Sequence, residues 1–442
     1  MASSFFSDLL STITERGRAL WVRREWRSTE NGDPVAGLVS LTEALLSRRG
    51  EASGTAMASE AIQRLNGLQG ADRRRFLLEL AQKFGPDEQR LGAAVEAWQA
   101  EPTDERAQEL HYASEPRRQE LFRRLNRAPG GTTALVELRA HLQADLKEEP
   151  SLAPVDRDLS HLLASWFNRG FLVLRRIDWS SPANILEKII RYEAVHEIRD
   201  WSDLRHRIDP PDRRCYAFFH PALPDEPLIF VEVALTADIP AAIAPLLDEA
   251  RVPLPAREAK TAVFYSISNC QTGLNGISFG NFLIKQVVEE LRRDLPRLDT
   301  FVTLSPVPAF VRWLKEQDVN GLLAEVEDVT WVDDPERAER LKKSLEPLAA
   351  RYFLTAKAAN GRPFDPVARF HLGNGARLER LDWLADRSYK ALREGAGFMV
   401  NYLYDLDAIE KNHEAFAERG EVIAAAPLKK LAAAPLPAGA EA

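Results

Sequence analysis

Residues 261–310, TAVFYSISNCQTGLNGISFGNFLIKQVVEELRRDLPRLDTFVTLSPVPAF, decide the fold. The stretch opens on an apolar, aromatic-rich run (Ala262, Val263, Phe264, Tyr265, Ile267) with the length and composition of a buried strand. A polar, glycine-bearing turn over 269–276 follows. Leu283, Ile284, Val287, Val288 and Leu291 then recur on one helical face, and Asp294-Leu295-Pro296 ends that helix. Residues 301–304 read as the next strand, stopped by Ser305-Pro306. Strand, glycine turn, helix and strand make a βαβ unit. The first N–H groups of a helix lack internal partners and carry partial positive charge. Gly273, Gly276 and Gly280 have no Cβ, so a phosphate can approach such groups closely, although an ordinary strand-to-helix turn has the same look. The spacing matches neither the Walker loop nor the dinucleotide fingerprint.

The whole chain sets the frame for that unit. Its 442 residues suggest two or three domains. An apolar fraction of 45% with 28% charged residues is that of a soluble globular protein with a sizeable core. A net charge of −8 argues against nucleic acid as the main partner. No apolar run approaches the roughly 18 residues of a membrane span. The opening MASSFFSDLLSTITERGRALW carries Asp8 and Glu15 in a helical pattern and no signal-cleavage pattern, so a cytoplasmic location is expected. Cys215 and Cys270 are too few for a disulfide framework or a four-cysteine zinc site. Reduced thiols are the default, with a bridge between subunits as the lesser alternative.

Residues 1–155 read as helices alone and as a helical assembly domain. Phe76, Leu77, Leu80 and Phe84 form one stripe, Leu91, Val95 and Trp98 a second, and Leu135, Leu138, Leu142 and Leu146 a third. The Arg73-Arg74-Arg75 run is a possible anion site, with solvated helix face the better reading. A seam of prolines and charges, KEEPSLAPVDRD, leads into a mixed α/β domain over 156–423. There, 171–177, 215–219, 228–235 and 398–404 are strand-like, 201–214 is polar and punctuated by prolines, and His371 falls in a loop-and-turn region. The alanine- and proline-rich tail over 424–442 reads as disordered.

Three side chains stand out for chemistry. Ser305 lies where a strand stops, the position at which α/β sheets gather ligands, and Pro306 and Pro308 fix the backbone around it. No Gly-x-Ser-x-Gly elbow accompanies it. His371, in Phe370-His371-Leu372-Gly373-Asn374-Gly375, is a candidate acid or base, and His220 a weaker rival. Tyr404 shares a strand face with Tyr402 and could present its hydroxyl to a cleft. The eight histidines show no zinc-ligand spacing.

FYSISNCQTGLNGISFGNFLIKQVVEEL, TLSPVPAF, PDEPLIFVEVALT, RFHLGNGA and NYLY together resemble the malonyl-CoA decarboxylase family. The likeness runs from about residue 159 to 404 and includes SHLLASWF, SPANILEKI and RRCYAFF. It implies an α+β two-domain protein: a helical domain, then an acetyltransferase-like (GNAT-like) catalytic domain with a mixed central sheet. It implies conversion of malonyl-CoA to acetyl-CoA and carbon dioxide with no cofactor or metal, and a homotetramer. By motif, Ser305 matches the family's proton acceptor, His371 its proton donor, and Tyr404 a tyrosine near the same pocket. Residues 275–281 match the malonyl-CoA-binding loop, so Gln271, Gly273, Asn275, Gly276, Ile277, Ser278, Phe279, Gly280 and Asn281 are the expected substrate-binding positions. Animal members carry a loop glutamate proposed to orient the histidine, where this chain has Ser278. Rival readings are an acyl-CoA N-acyltransferase sharing the turn, a non-catalytic acyl-CoA-binding scaffold, and a thioesterase.

Overall fold

The computed structural model describes residues 32–47, 51–277, 279, 283–317 and 320–434. The helical pattern expected over the first 21 residues lies outside them, as do Ser278, Gly280 and Asn281. The chain divides into two compact units. The first comprises Met1–Phe171, His220–Pro224 and Gln271–Phe279; the second Leu172–Phe219, Asp225–Cys270 and Gly280–Ala442.

The first unit carries helices α1 (Pro34–Ser47), α2 (Glu51–Gly67), α3 (Gly70–Lys83), α4 (Glu88–Ala100), α5 (Asp104–Ser114), α6 (Arg117–Asn126), α7 (Gly131–Asp145) and α8 (Ala153–Trp166). Phe76, Leu77 and Leu80 of α3, and Leu135, Leu138 and Leu142 of α7, are buried, so the first and third stripes face the core. The second does not. No residue of α4 is buried and Trp98 is 40% exposed, because α4 packs chiefly on α5. The proline seam is also helical: Pro150–Leu152 form a 3₁₀ turn and Pro154 sits in the first turn of α8. Proline suits that position because its missing N–H has no helical partner there in any case. The unit therefore continues past residue 155, to Phe171.

Eight strands of the second unit form one sheet: β1 (Val173–Ile177), β2 (Arg213–Phe219), β3 (Ile229–Thr236), β4 (Thr261–Asn269), β5 (Thr300–Thr303), β6 (Ser305–Pro306), β7 (Arg377–Asp382) and β8 (Met399–Leu403). The order is β1-β2-β3-β4-β5-β8-β6, with β7 on β8. β1 to β4 are antiparallel, β4 and β5 parallel, and β8 antiparallel to its three neighbours. A parallel pair needs a crossover helix. Leu283–Asp294 supplies it, burying Leu283, Ile284, Val287, Val288 and Leu291 as its periodicity requires. The result is a mixed sheet with one parallel pair, following an all-helical region in the chain. No helix among the described residues is long and apolar enough to cross a membrane.

Several local expectations change. Trp201–Ile208 is helical, capped by Asp200 accepting from Asp203 N–H, so the polar stretch hides a short amphipathic helix. Arg377–Asp382 is strand β7, concealed by alternating charges that leave only Leu378 and Asp382 buried. The tail is ordered through residue 434. Ala424 bridges Leu378, Leu428 of the helix Ala426–Ala432 is buried, and Arg351 donates to the Ala432 and Ala434 carbonyls. A side-chain cation on the last carbonyls of a helix satisfies groups that otherwise lack partners. Cys215 and Cys270 both lie in one buried cluster with Phe219 and Phe230, which removes them from any bridge between subunits; burial pushes both thiols up.

Candidate active site

Three separate stretches of the second unit converge. β5 ends at Thr303, and Ser305 re-enters the sheet opposite Val400 of β8. Tyr404 follows β8, its N–H donating to the Phe301 carbonyl at 2.8 Å. His371 lies on the helix Pro366–Gly373 rather than in a loop. Asp365 starts that helix, accepting from the Val367 and Ala368 N–H groups at 2.9 Å each, with Pro366 in the first turn. The Tyr352 hydroxyl donates to the other Asp365 oxygen at 2.8 Å, which fixes the helix start and hence the imidazole.

The side chains form one hydrogen-bonded line. Ser305 Oγ is 3.1 Å from His371 Nε2, and His371 Nδ1 is 2.8 Å from the Tyr404 hydroxyl. Ser305 Oγ donates to Thr303 Oγ1 at 2.9 Å; Thr303 Oγ1 also accepts from the Tyr402 N–H and donates to the Val400 carbonyl. A hydroxyl has one proton and a neutral imidazole one N–H. With the Ser305 proton directed to Thr303, Nε2 must be the donor to Ser305, and Nδ1 then accepts from Tyr404. This assignment gives every proton in the line an acceptor; the reverse leaves the Tyr404 O–H with none among the described residues. The imidazole also stacks on Tyr402, ring centroids 4.6 Å apart.

Burial sets the charge state. Ser305, His371 and Tyr404 are all buried. Desolvation alone holds His371 down at about 3, so the resting imidazole is neutral at pH 7. It pushes the Tyr404 phenol upward, so Tyr404 is a donor throughout. Thr303 is a partner that sequence reasoning did not single out; Tyr402, named there as sharing a face with Tyr404, contributes its N–H and its ring. The available signal was Thr303 lying two residues before Ser305, hence on the same face of an extended segment. The hydroxyl of Tyr404 occupies the Nδ1 side, the position at which a residue can orient the ring.

The expected substrate-binding stretch is less uniform. Gln271, Gly273, Asn275, Gly276, Ile277 and Phe279 belong to the first unit, where Thr272–Leu274 form a 3₁₀ turn against α7. Gly273 is glycine for packing: a Cβ there would stand 1.9 Å from the Val136 carbonyl oxygen. Gly276 has φ +78°, a left-handed conformation that favours glycine. Arg139, buried and paired with Asp156, donates to the Gly273 and Asn275 carbonyls at 2.7 and 3.0 Å. It positions this stretch, and nothing in its sequence neighbourhood marked it. His220 packs at a tilt against Phe167 and accepts from the Ala222 N–H, a turn-holding role.

A second buried polar cluster lies in the second unit. Glu232 on β3 pairs in register with Cys215 and Ser266, is fully buried, and among the described residues has no hydrogen-bond partner for either carboxylate oxygen. Arg207 approaches to 3.5 Å. Burial first, then Glu193, pushes Glu232 up to about 8 against the pull of Arg207. Glu193 by contrast is well bonded, accepting from Ser266 Oγ and from the Val195 and His196 N–H groups.

Comparison with known proteins identifies the family. The malonyl-CoA decarboxylase N-terminal domain family matches residues 84–167, and the malonyl-CoA decarboxylase C-terminal domain family residues 170–440. The mitochondrial malonyl-CoA decarboxylase of Anser anser anser is 37% identical over 406 residues, 81% of this chain and 80% of that protein. The Mus musculus protein of the same description is 38% identical over 391 residues, 78% of this chain and 79% of its own. The crystal structure of malonyl-CoA decarboxylase from Rhodopseudomonas palustris superposes with a TM-score of 0.87 at 58% identity, covering 90% of this chain and 99% of that one. That from Agrobacterium vitis gives 0.85 at 55% identity, covering 90% and 100%. The chain belongs to the malonyl-CoA decarboxylase family and is a carboxy-lyase.

Proposed function

We propose that the protein converts malonyl-CoA to acetyl-CoA and carbon dioxide, with Ser305 and His371 at the reacting carbons and Tyr404 holding the imidazole. The observation that carries this is the line Tyr404–His371–Ser305–Thr303, in which each proton has a defined donor and acceptor. Loss of carbon dioxide leaves an electron pair that must spread onto the thioester oxygen as an enolate. Rotation about its Cβ–Oγ bond lets Ser305 turn its proton from Thr303 to that oxygen. A donor fixed in this way contributes roughly 2.7–4 kcal/mol, on the order of 10²–10³ in rate.

The enolate carbon then needs a proton. His371 rests neutral because burial disfavours its charge, and a substrate carboxylate brought beside it opposes that effect. Substrate therefore enters with uptake of one proton, giving imidazolium. Carbon dioxide leaves, the imidazolium Nε2–H bond breaks and a C–H bond forms at the former carbanion; this leaves the Nδ1–H tautomer, which regains the resting Nε2–H form by proton exchange with solvent as product departs. The Tyr404 hydroxyl keeps Nδ1 occupied and Nε2 turned toward Ser305. Residues 275–281 are the substrate-binding loop in this reading, which the family likeness supports.

The test is incubation with malonyl-CoA alone and mass detection of products. Acetyl-CoA formed without added amine is the expected result. Free CoA would support the thioesterase, and no product at all would support a binding scaffold.

A further inference from the structure

The Arg73-Arg74-Arg75 run is not a featureless solvated face. With His141, Asp145 and Thr272 it lines a cavity of about 760 Å³ in the first unit. That lies within the roughly 300–1,000 Å³ of small-molecule sites. Three arginines stand against one aspartate. Arg74 is committed to Asp145 and Glu148, and Arg75 to Asp33 and Asp72. Arg73 differs: it donates to the Leu68 carbonyl at 2.6 Å, a neutral acceptor, and no carboxylate among the described residues forms an ion pair with it. Its charge is felt across the cavity, where burial first and Arg73 second lower His141 from its ordinary value. The cavity thus holds uncancelled positive charge beside an imidazole, the setting for an anion with several acceptor oxygens.

Thr272 says which anion. It opens the 3₁₀ turn that Arg139 holds, and that turn leads into the stretch assigned above to the thioester carrier. A coenzyme A thioester carries, at the end remote from its acyl group, an adenosine with a 3′-phosphate and a 5′-diphosphate. We propose that this cavity takes the phosphorylated adenosine end of the coenzyme A thioester, with Arg73 and His141 donating to its 3′-phosphate. The inference rests on the acyl-CoA reading, and its test does not need turnover.

Binding of adenosine 3′,5′-bisphosphate and of adenosine 5′-monophosphate to the full chain is measured by calorimetry, for wild type and three variants. Wild type is expected to prefer the bisphosphate by about ten-fold or more, the value of one charge-assisted contact. Arg73→Gln should abolish most of that preference. Ala144, exposed on α7 and also lining the cavity, gives a pair of variants with no fold burden: Ala144→Glu should weaken bisphosphate binding several-fold, and Ala144→Lys should not. With malonyl thioesters, Ala144→Glu should narrow the KM advantage of malonyl-CoA over malonyl-pantetheine. Wild type that binds neither nucleotide, or Ala144 variants that bind the bisphosphate equally, would overturn the proposal. Absence of decarboxylation with intact nucleotide discrimination would instead sink the catalytic reading and leave this one standing.

Discussion

His371 and Glu232 are both titratable groups buried in the sheet unit, and they are provided for in opposite ways. His371 is neutral, hydrogen-bonded at both nitrogens and stacked on Tyr402. The Glu232 carboxylate accepts no hydrogen bond among the described residues and has Arg207 at 3.5 Å. A buried polar group without a partner costs roughly 1–3 kcal/mol, more when charged, so the two clusters differ in strain as well as in chemistry. The difference teaches that burial alone does not make a line of proton donors and acceptors. What distinguishes the His371 line is that each proton has somewhere to go.

The sharpest way to break this contrast is mutation of the line itself. Ser305→Ala and His371→Asn should each lower kcat for acetyl-CoA formation by on the order of 10² or more, while Glu232→Gln should leave it within about three-fold. Equal losses in all three would mean that the two clusters act as one.

The next effect is on stability and has opposite signs in the two places. Glu232 holds its proton up to about 8 when folded, against 4.5 when exposed, so stability is lost as pH rises through that interval. His371 refuses a proton down to about 3 that the unfolded chain takes near 6.5, so stability is lost as pH falls through that interval. Denaturant titrations at pH 5 and pH 8 should show wild type losing on the order of 2–3 kcal/mol more than Glu232→Gln across that range. An identical slope would mean that Arg207 keeps Glu232 ionised.

Tyr404→Phe is a smaller perturbation. It removes the donor to Nδ1 without opening a cavity, and kcat should fall about ten-fold with KM little changed. The same variant should broaden the pH profile of kcat, because the ring is then free to exchange tautomers. Loss of binding instead would move Tyr404 from orienting the ring to contacting substrate.

The three catalytic candidates were legible because each sits at a chain punctuation: Ser305 between a strand and prolines, His371 before Gly-Asn-Gly, Tyr404 at a strand end. Their mutual geometry was not, since it depends on β8 pairing with both β5 and β6 across about a hundred residues. Strand β4, the crossover helix and β5 followed from hydrophobic period alone. Strand β7 did not, because its Arg-Leu-Glu-Arg-Leu-Asp pattern buries only alternate or terminal positions and mimics a charged loop. The helix Ala426–Ala432 was missed because alanine and proline enrichment signals disorder unless a docking face is known. Glu232 was invisible for a related reason: a lone acid within IFVEVALT looks like the solvent side of an edge strand, whereas β3 is central and covered on both sides. Arg139 was one arginine among many until its carbonyl acceptors, more than 130 positions away, came into view.

The absent Cβ of Gly273 has a consequence for how the protein can be cut. The two matching family regions meet between residues 167 and 170, an inviting place to separate them for expression. A fragment beginning there keeps Ser305, His371 and Tyr404, yet discards Val136, against whose carbonyl residue 273 is fitted, and the guanidinium that grips its neighbours. Such a piece would carry its reactive groups intact while the segment over 271–279 had lost the mould it is cast in.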